Sequence, residues 1–216
     1  MKKIFLFLFL AALSLQAEST NEVDAALSSL GEKVKNFTSF TADFRQLDKD
    51  PLFMDESEHT GKLSFCRKVV SGATNCFLRF DYSEPERSVT ILAPNGVLIY
   101  TDDMTEPQVS PSRDSNRADM VFSTFVSPAA LKRHYEIAFS KKEDEKISFK
   151  LTPKSVFAKE FFSEAEIDFS KKTGLPERLR QVKLNGSDIT LFFSSPAFNV
   201  SLPTNYFDAS YFKKAK

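Results

Sequence analysis

The sequence predicts a mainly β domain of the α+β class, built on one large antiparallel sheet with few helices. About ten short segments alternate apolar and polar residues, which is the period of a half-buried strand, and charged or glycine-containing turns separate them. Helical periodicity is confined to one N-terminal and one central segment, so the strands do not alternate with crossover helices as they do around a parallel sheet. The 216 residues contain no repeat at a solenoid period and no low-complexity linker, so a single domain is the simplest division.

The N-terminus has the organisation of a cleaved secretory signal. Two lysines precede an apolar run at residues 4–15, and Gln16-Ala17 then lead into a polar stretch. About a dozen apolar residues are too few to span a bilayer comfortably. We therefore expect residues 1–17 to be a signal peptide and residues 18–216 to be the exported domain, and the alternative is a retained membrane anchor.

The first elements of the exported chain are predicted to be a helix and a strand. Ser19-x-x-Glu22 matches a capping box, and apolar residues then recur at three- and four-residue spacing. This pattern predicts a helix over about residues 21–36. From Phe40 the period changes to two, so a half-buried strand follows the helix.

Further strand signals predict a meander with one interruption. Residues 107–119 are polar, and two short helices are expected after them, around residues 120–126 and from Ser127-Pro128 to about residue 135. The Asn95-Gly96 pair is a strong hairpin signal. The remaining strands are predicted near residues 61–66, 78–82, 87–93, 97–101, 135–140, 147–152, 161–169, 177–184 and 188–194.

Charge and glycine content exclude several classes of function. The chain has 29 basic and 29 acidic side chains, so it lacks the basic surface of a nucleic-acid binder. Its six glycines are too scattered for a phosphate-binding loop, and it contains neither G-x-S-x-G nor H-E-x-x-H. We interpret Asp81 and Glu84 as solvated charges at a strand end. The two histidines, His59 and His134, are isolated, so we expect no catalytic residue, no metal and no cofactor.

The two cysteines suggest a local cross-link. Cys66 and Cys76 each lie five residues from Ser71, and in a hairpin centred there they would face each other. An oxidising compartment favours a disulfide, so we expect a Cys66–Cys76 bridge. The alternative is a pair of free or metal-binding thiols.

Phenylalanine is the compositional outlier, at 23 of 216 residues. Many of these residues lie on one face of successive predicted strands, and the few predicted helices are little cover for that face. One interpretation is an ordinary core between sheet and helices. The other is a concave sheet that encloses an apolar ligand cavity.

Six short motifs, in order along the exported chain, carry a family resemblance. They are Asn36 to Gln46, Gly61-Lys62-Leu63, Leu78 to Pro85, Ile91 to Gly96, Leu98 to Tyr100, and Leu151-Thr152-Pro153-Lys154. With the signal segment, this set resembles the periplasmic outer-membrane lipoprotein carrier family LolA. The resemblance implies the family's fold, an unclosed antiparallel half-barrel of about eleven strands with an α-helical lid. It also implies a non-enzymatic carrier that shields the acyl chains of lipoproteins in a hydrophobic cavity, between the inner and the outer membrane.

The same resemblance implies a set of partners. Lipid-modified proteins would be the cargo of a monomeric carrier, an inner-membrane lipoprotein-releasing ABC transporter would supply it, and an outer-membrane LolB-like acceptor, where present, would receive it. Three alternatives stay open. They are a LolA-like carrier or sensor of another lipid or acyl ligand, a periplasmic hydrolase of acyl esters, and an interaction protein with a solid core.

Site residues follow from the resemblance as well. The expected acyl-chain cavity is lined by Phe40, Phe44, Leu63, Phe65, Leu78, Phe80, Tyr82, Ile91, Tyr100, Phe122 and Phe125. An arginine that locks the lid in the family precedes the inward aromatic strand by a few residues. Arg67 is the best match for this lid latch and Arg79 the second, because an insertion at residues 68–75 disturbs the stretch. Residues 117–134 are expected to form part of the lid.

Overall fold

One large antiparallel sheet organises the part of the chain that the structure, a computed structural model, describes. The described residues are 21–52, 54–70, 72–94, 96–104, 106–111, 121, 124–208 and 211. The strands are β1 (Ser39–Asp50), β2 (Asp55–Val70), β3 (Ala73–Glu84), β4 (Ser88–Ala93), β5 (Gly96–Thr101), β6 (Gln108–Pro111), β7 (Tyr135–Lys142), β8 (Lys146–Pro153), β9 (Phe162–Ser170), β10 (Pro176–Lys183) and β11 (Asp188–Phe198). The predicted signal peptide at residues 1–17, the capping residue Ser19 and the predicted cavity residue Phe122 lie outside the described residues.

The strand order joins two meanders into one open sheet. Neighbouring strands follow the order β6-β5-β4-β3-β2-β1-β11-β10-β9-β8-β7, and each neighbouring pair is antiparallel. β1 and β11, which come from opposite ends of the chain, pair in the middle, while β6 and β7 form the two edges. The predicted mainly β fold with an unclosed sheet of about eleven strands is therefore confirmed.

The helices in the described part of the chain are short, apart from the first. Helix α1 covers residues 21–34, so it ends two residues earlier than predicted. Residues 124–126 are helical, and a 3-10 helix follows at Pro128–Arg133, close to the two short helices that the sequence predicts. Helix α2 at Val156–Phe161 was not predicted, because six residues are too few to show a helical period between two strands.

Strand β6 lies in a stretch that the sequence predicts as a polar loop. It pairs with β5 from Ile99 opposite Gln108 to Gly96 opposite Pro111. Four residues are too few to show an alternating pattern, and a proline is tolerated there because β6 is an edge strand that has one neighbour. The polar composition of the segment therefore concealed a short strand.

The two faces of the sheet have different cores. The inner face, defined here as the face covered by α1, carries two apolar clusters, one against β7–β9 and one against β1–β5. Leu27 on α1 packs in the first cluster and Val34 on the same helix in the second, so this helix bridges both. On the opposite, outer face, a smaller cluster lies beneath the C-terminal segment around Tyr206 and Phe207.

Candidate functional site

The inner face of β1–β5 is a continuous aromatic and aliphatic surface. The strand register places Phe40 opposite Phe65, and Phe65 in turn opposite Leu78. The Phe40 and Phe65 rings stack with centroids 5.1 Å apart, and Phe44 makes edge contacts with Phe80 at 5.7 Å and Tyr82 at 4.9 Å. The structure brings eight of the predicted cavity residues together here: Phe40, Phe44, Leu63, Phe65, Leu78, Phe80, Tyr82 and Phe125.

Tyr82 supplies a polar group at the end of this apolar surface. Its hydroxyl donates a hydrogen bond to Gln46 Oε1 at 3.0 Å. Burial, with a smaller contribution from the charge of Asp48, raises the pKa of Tyr82 to about 12. The phenol therefore stays neutral at physiological pH, and the apolar surface ends in an uncharged hydrogen-bonding group.

Two small cavities lie between the inner face and its helical cover. One, of about 100 Å³, is lined by residues including Phe80, Phe125 and Leu131. The other, of about 280 Å³, is lined by residues including Phe40, Phe125 and Leu175. Both volumes are below the roughly 300 to 1,000 Å³ of sites that enclose drug-sized ligands. An acyl chain would therefore fit only after the cover has moved.

Phe125 lies between the two cavities. Its buried ring belongs to the short helical segment of the cover and lies 5.2 Å from the Phe193 ring and 6.4 Å from the Phe40 ring. Phe125 and Phe193 both line the two cavities, so these two rings lie between them. The cover therefore fills part of the space that a ligand would need.

Arg67 connects the sheet to the end of helix α1. Its Nη1 donates a hydrogen bond to the carbonyl oxygen of Lys35 at 2.5 Å, and its backbone amide donates to the carbonyl of Thr38 at 2.8 Å. A cation is favourable at this place because the unpaired carbonyls at a helix C-terminus carry partial negative charge. Arg67 thus holds the C-terminal end of the helix that covers the inner face.

Arg79, the second choice for the latch, is wrong for that role because it lies on the outer face. Its Nε donates to both carboxylate oxygens of Asp81 at 2.8 Å, and its Nη1 donates to the carbonyl of Tyr206 at 2.6 Å. The guanidinium carbon lies 4.2 Å from the Tyr206 ring centroid. Asp81 is therefore part of a half-buried network under the C-terminal segment, and the interpretation of it as a solvated charge is also wrong.

Two of the predicted cavity residues, Ile91 and Tyr100, face the wrong side of the sheet. Ile91 pairs with Arg79 and Tyr100 with Val89, so both belong to the outer-face cluster. Successive side chains on a strand alternate between faces, so an error of one residue exchanges the faces. The inner positions on these strands are Leu92, Val97 and Ile99, which the sequence analysis missed.

The predicted disulfide is wrong, since Cys66 and Cys76 are both free. Val70 pairs with Ala73, so residues that lie directly opposite each other in this hairpin have sequence numbers that differ by an odd number. Cys66 is therefore opposite Phe77, and Cys76 is opposite Arg67. Because the two cysteines are ten residues apart, they point to opposite faces of the sheet. Cys66 belongs to the outer-face cluster, and Cys76 packs against the inner-face cluster. Burial raises the pKa of the Cys66 thiol to about 11, so it stays protonated.

A larger cavity, of about 1190 Å³, lies mainly along the outer face. Its walls carry charged side chains from strands and from the loops beside them, among them Asp43, Arg45, Lys62, Arg87 and Asp102. Moving charged groups out of water is costly unless they are paired, so these walls do not suit an acyl chain. The apolar site belongs to the inner face in spite of its smaller cavities.

The histidines are not brought together. His59 Nε2 lies 3.9 Å from Asp48 on β1, whereas His134 Nδ1 lies 3.5 Å from Ser155 Oγ next to helix α2. Ser155 is the cap of that helix, because its hydroxyl oxygen accepts a hydrogen bond from the Ala158 amide at 3.1 Å. Among the residues that the structure describes, no group of three or more His, Cys, Asp or Glu side chains could hold a metal ion.

In the described ranges, no helix combines the length and the apolar character needed to cross a membrane.

An open antiparallel sheet with one apolar face under a helical cover is the architecture of the lipoprotein-localisation class of half-barrels. The sequence matches the family described as outer membrane lipoprotein carrier protein LolA over residues 35–210. The chain therefore belongs to the LolA family. No curated protein matches the sequence.

Solved structures show the same fold at low identity. An uncharacterized conserved protein from Thermus thermophilus has a TM-score of 0.53 at 13% identity, over 87% of this chain and 96% of that one. A DUF1329 family protein from Desulfovibrio piger has a TM-score of 0.52 at 12% identity, over 87% and 97%. A chain of the Pseudomonas aeruginosa MucA/MucB complex has a TM-score of 0.50 at 16% identity, over 87% of this chain and 61% of that one. This protein thus spans about three fifths of that chain's length.

Proposed function

We propose that this protein is a periplasmic carrier that takes up the acyl chains of lipoproteins and conveys them from the inner to the outer membrane without catalysing a reaction. The observation that carries the proposal is the apolar inner face of β1–β5, which lies under helix α1 and the short helical segment around Phe125 in a chain of the LolA family. The signal segment at residues 1–17 supports export, and residues 18–216 would then work as one monomeric domain.

The energetics favour a binding site of this kind. Each methylene group moved from water to an apolar site contributes about 0.8 kcal/mol, so an acyl chain needs continuous cover on its way between two membranes. The proposed acyl site is made of Phe40, Phe44, Leu63, Phe65, Leu78, Phe80, Tyr82 and Phe125. Uptake would displace Phe125 and the neighbouring cover, and release would reverse the movement. The supplier would be an inner-membrane ABC transporter, and the receiver an outer-membrane LolB-like acceptor.

Arg67 is the proposed latch of the cover. We expect Arg67→Met to remove the bond to Lys35 at the end of α1, to cost about 1 kcal/mol, and to speed the uptake of a fluorescent hydrophobic probe. Stopped-flow fluorescence measures the uptake. Lys68→Met is the matched control, because the Lys68 amine bonds to the Thr204 carbonyl on the outer face. Equal uptake rates in the two variants and the wild type would contradict the latch.

The carrier function predicts transfer of a triacylated lipoprotein. Purified protein lacking residues 1–17 should release such a lipoprotein from membranes that carry its exporter, and should form a soluble complex with it. Size-exclusion chromatography followed by immunoblotting detects the complex. A parallel sample with bovine serum albumin in place of the protein measures how much lipoprotein leaves the membranes without a carrier. No complex, under conditions in which another LolA carrier forms one, would contradict the proposal.

A second candidate keeps the site and changes its ligand or its purpose. It is a LolA-like carrier or sensor of another lipid or acyl ligand, which the same apolar inner face would bind. Native mass spectrometry of the protein isolated from its own cells separates the two candidates. A retained lipoprotein mass supports the carrier, and a retained lipid mass supports the second candidate.

A further inference from the structure

Three large apolar side chains are exposed at one end of the sheet. In the turn between β1 and β2, Leu52 is 74% exposed and Met54 is 93% exposed. Leu184, in the turn between β10 and β11, is 62% exposed. We call these three residues the apolar tip. Single exposed apolar residues are common, but a group of them at one place marks a contact surface.

The two turns of the apolar tip lie against each other. Ser187 Oγ, beside the second turn, donates a hydrogen bond to Asp50 Oδ2 at 3.5 Å. A methyl group placed on Gly186 would lie 3.4 Å from Cγ of Pro51, which is ordinary van der Waals contact. Leu52, Met54 and Leu184 are therefore exposed on two neighbouring turns.

The hairpin that carries most of the apolar tip extends beyond β3 on one side, whereas on the other side β11 pairs with β1 as far as Lys49 opposite Asp188. The pairing of β1 with β2 continues to Asp50 opposite Asp55, whereas the pairing of β2 with β3 stops at Thr60 opposite Glu84. Residues 55–59 of β2 therefore have a neighbouring strand on one side only. The start of β2 is therefore open to a partner on the β3 side.

The backbone conformation at Met54 is unfavourable for a methionine, so the stability of the fold does not explain the presence of this residue. Its φ angle is 49°, in the left-handed region that favours glycine and asparagine. With 93% of the residue exposed, the side chain also gains little from packing within the chain. A residue that is strained and exposed at the same time is better explained by a contact with something outside the chain.

The charges behind the apolar tip favour a cationic partner group. Asp50 and Asp55 are directly opposite each other, and like charges in that arrangement are unfavourable. The adjacent Lys49 is 3.2 Å from Glu56 and is used in that ion pair. Within the described ranges, neither Asp50 nor Asp55 makes an ion pair, so cationic groups outside the chain would complement them.

We propose that the apolar tip is a membrane-contact site, which inserts Leu52, Met54 and Leu184 into the interfacial layer of a zwitterionic lipid surface. Exposed aliphatic side chains on two neighbouring turns suit the boundary between headgroups and acyl chains. Asp50 and Asp55 then lie at the level of the headgroups, where the ammonium groups of zwitterionic lipids supply the missing cations. The proposal goes beyond the carrier function, because the acyl site on the inner face plays no part in it.

Vesicle flotation tests the hydrophobic part of the proposal. The wild type without residues 1–17 should float with vesicles of phosphatidylethanolamine and phosphatidylcholine. The triple variant Leu52→Ser, Met54→Asn and Leu184→Ser should bind about tenfold less, since one lost factor of ten corresponds to about 1.4 kcal/mol. Asparagine at position 54 suits the left-handed backbone. The matched control is Val69→Ser with Val109→Ser, two valines that are 73% and 61% exposed at the far end of β2 and on the edge strand β6.

Lipid charge tests the electrostatic part. Replacing half of the lipid with anionic phosphatidylglycerol should lower wild-type binding severalfold, and Asp50→Asn with Asp55→Asn should remove that difference. The proposal is overturned if the wild type does not bind the zwitterionic vesicles, or if the triple variant binds as well as the control. It is also overturned if the tip is needed only for transfer to a protein acceptor, which would indicate an apolar pocket in that acceptor. Acyl uptake in solution should be equal in all these variants, so failure of the carrier function would be recognised separately.

Discussion

Phe80→Glu is expected to abolish the uptake of acyl chains. The half-buried Phe80 ring lines the 100 Å³ cavity and contacts the Phe44 ring at its edge. A bound acyl chain would displace the water around a carboxylate at this position. Since an isolated buried charge is strongly unfavourable, the carboxylate would oppose binding. We expect binding of a triacylated lipoprotein to fall at least about a hundredfold, which corresponds to roughly 3 kcal/mol. Complex formation after release from membranes measures the loss.

The control for this substitution lies on the other face of the sheet. Phe192 is also half-buried, but it packs beneath the Arg45 guanidinium on the outer face, so Phe192→Glu should leave uptake unchanged. Circular dichroism checks that both variants fold. If folded Phe80→Glu still binds cargo, the acyl site is not on the inner face. If the wild type takes up no hydrophobic probe and Phe80→Glu unfolds, the inner face is a solid core.

Asp81→Ala is expected to cause the largest loss of stability among single polar substitutions. Arg79 is only 5% exposed, and Asp81 accepts hydrogen bonds from its Nε and from the Tyr206 hydroxyl at 3.0 Å. Removing the carboxylate takes an ion-pair partner from the buried guanidinium, and breaking a fully buried pair costs about 3 to 5 kcal/mol. Because Asp81 keeps about a quarter of its side chain exposed, we expect about 3 kcal/mol.

Urea denaturation measures this change, and Asp43→Ala is its matched control. Asp43 lies on the same face, two strands away, but its carboxylate is half exposed and 3.9 Å from Lys62, so its removal should cost less than about 1 kcal/mol. Limited proteolysis should also cut the segment around Tyr206 faster in Asp81→Ala. Equal stability of the two variants would mean that the Arg79 network does not fasten the C-terminal segment.

The two-residue alternation of apolar and polar side chains was sufficient to predict the strands, but it did not predict the register between neighbouring strands. Phe40 and Phe44 were assigned to the inner face correctly, because alternation within one strand fixes which residues share a face. The disulfide and the positions of Ile91 and Tyr100 failed for one common reason. Each of these predictions depends on the number of residues in the turn between two strands. If the turn has one residue more or fewer, every side chain on the next strand points to the opposite face of the sheet.

The sequence carried little information on the cover and the ends of the sheet. Helix α2 and strand β6 are shorter than the window over which a period becomes visible. The position of Phe125 between two cavities depends on packing between distant segments, which no local pattern encodes. Exposed apolar residues in a turn, such as Leu52 and Met54, contradict the rule that turns are polar, and such exceptions are expected at contact sites.

The pairing of β1 with β11 has a kinetic consequence. All the other neighbours in the sheet are also consecutive in the chain, so each meander consists of hairpins that close short loops. The β1–β11 pair alone joins residues from opposite ends, such as Phe40 and Phe198, and closing so long a loop has the largest entropic cost. We expect this pair to form late in folding. Strand β1 would then gain its second neighbour only after β11 has been synthesised.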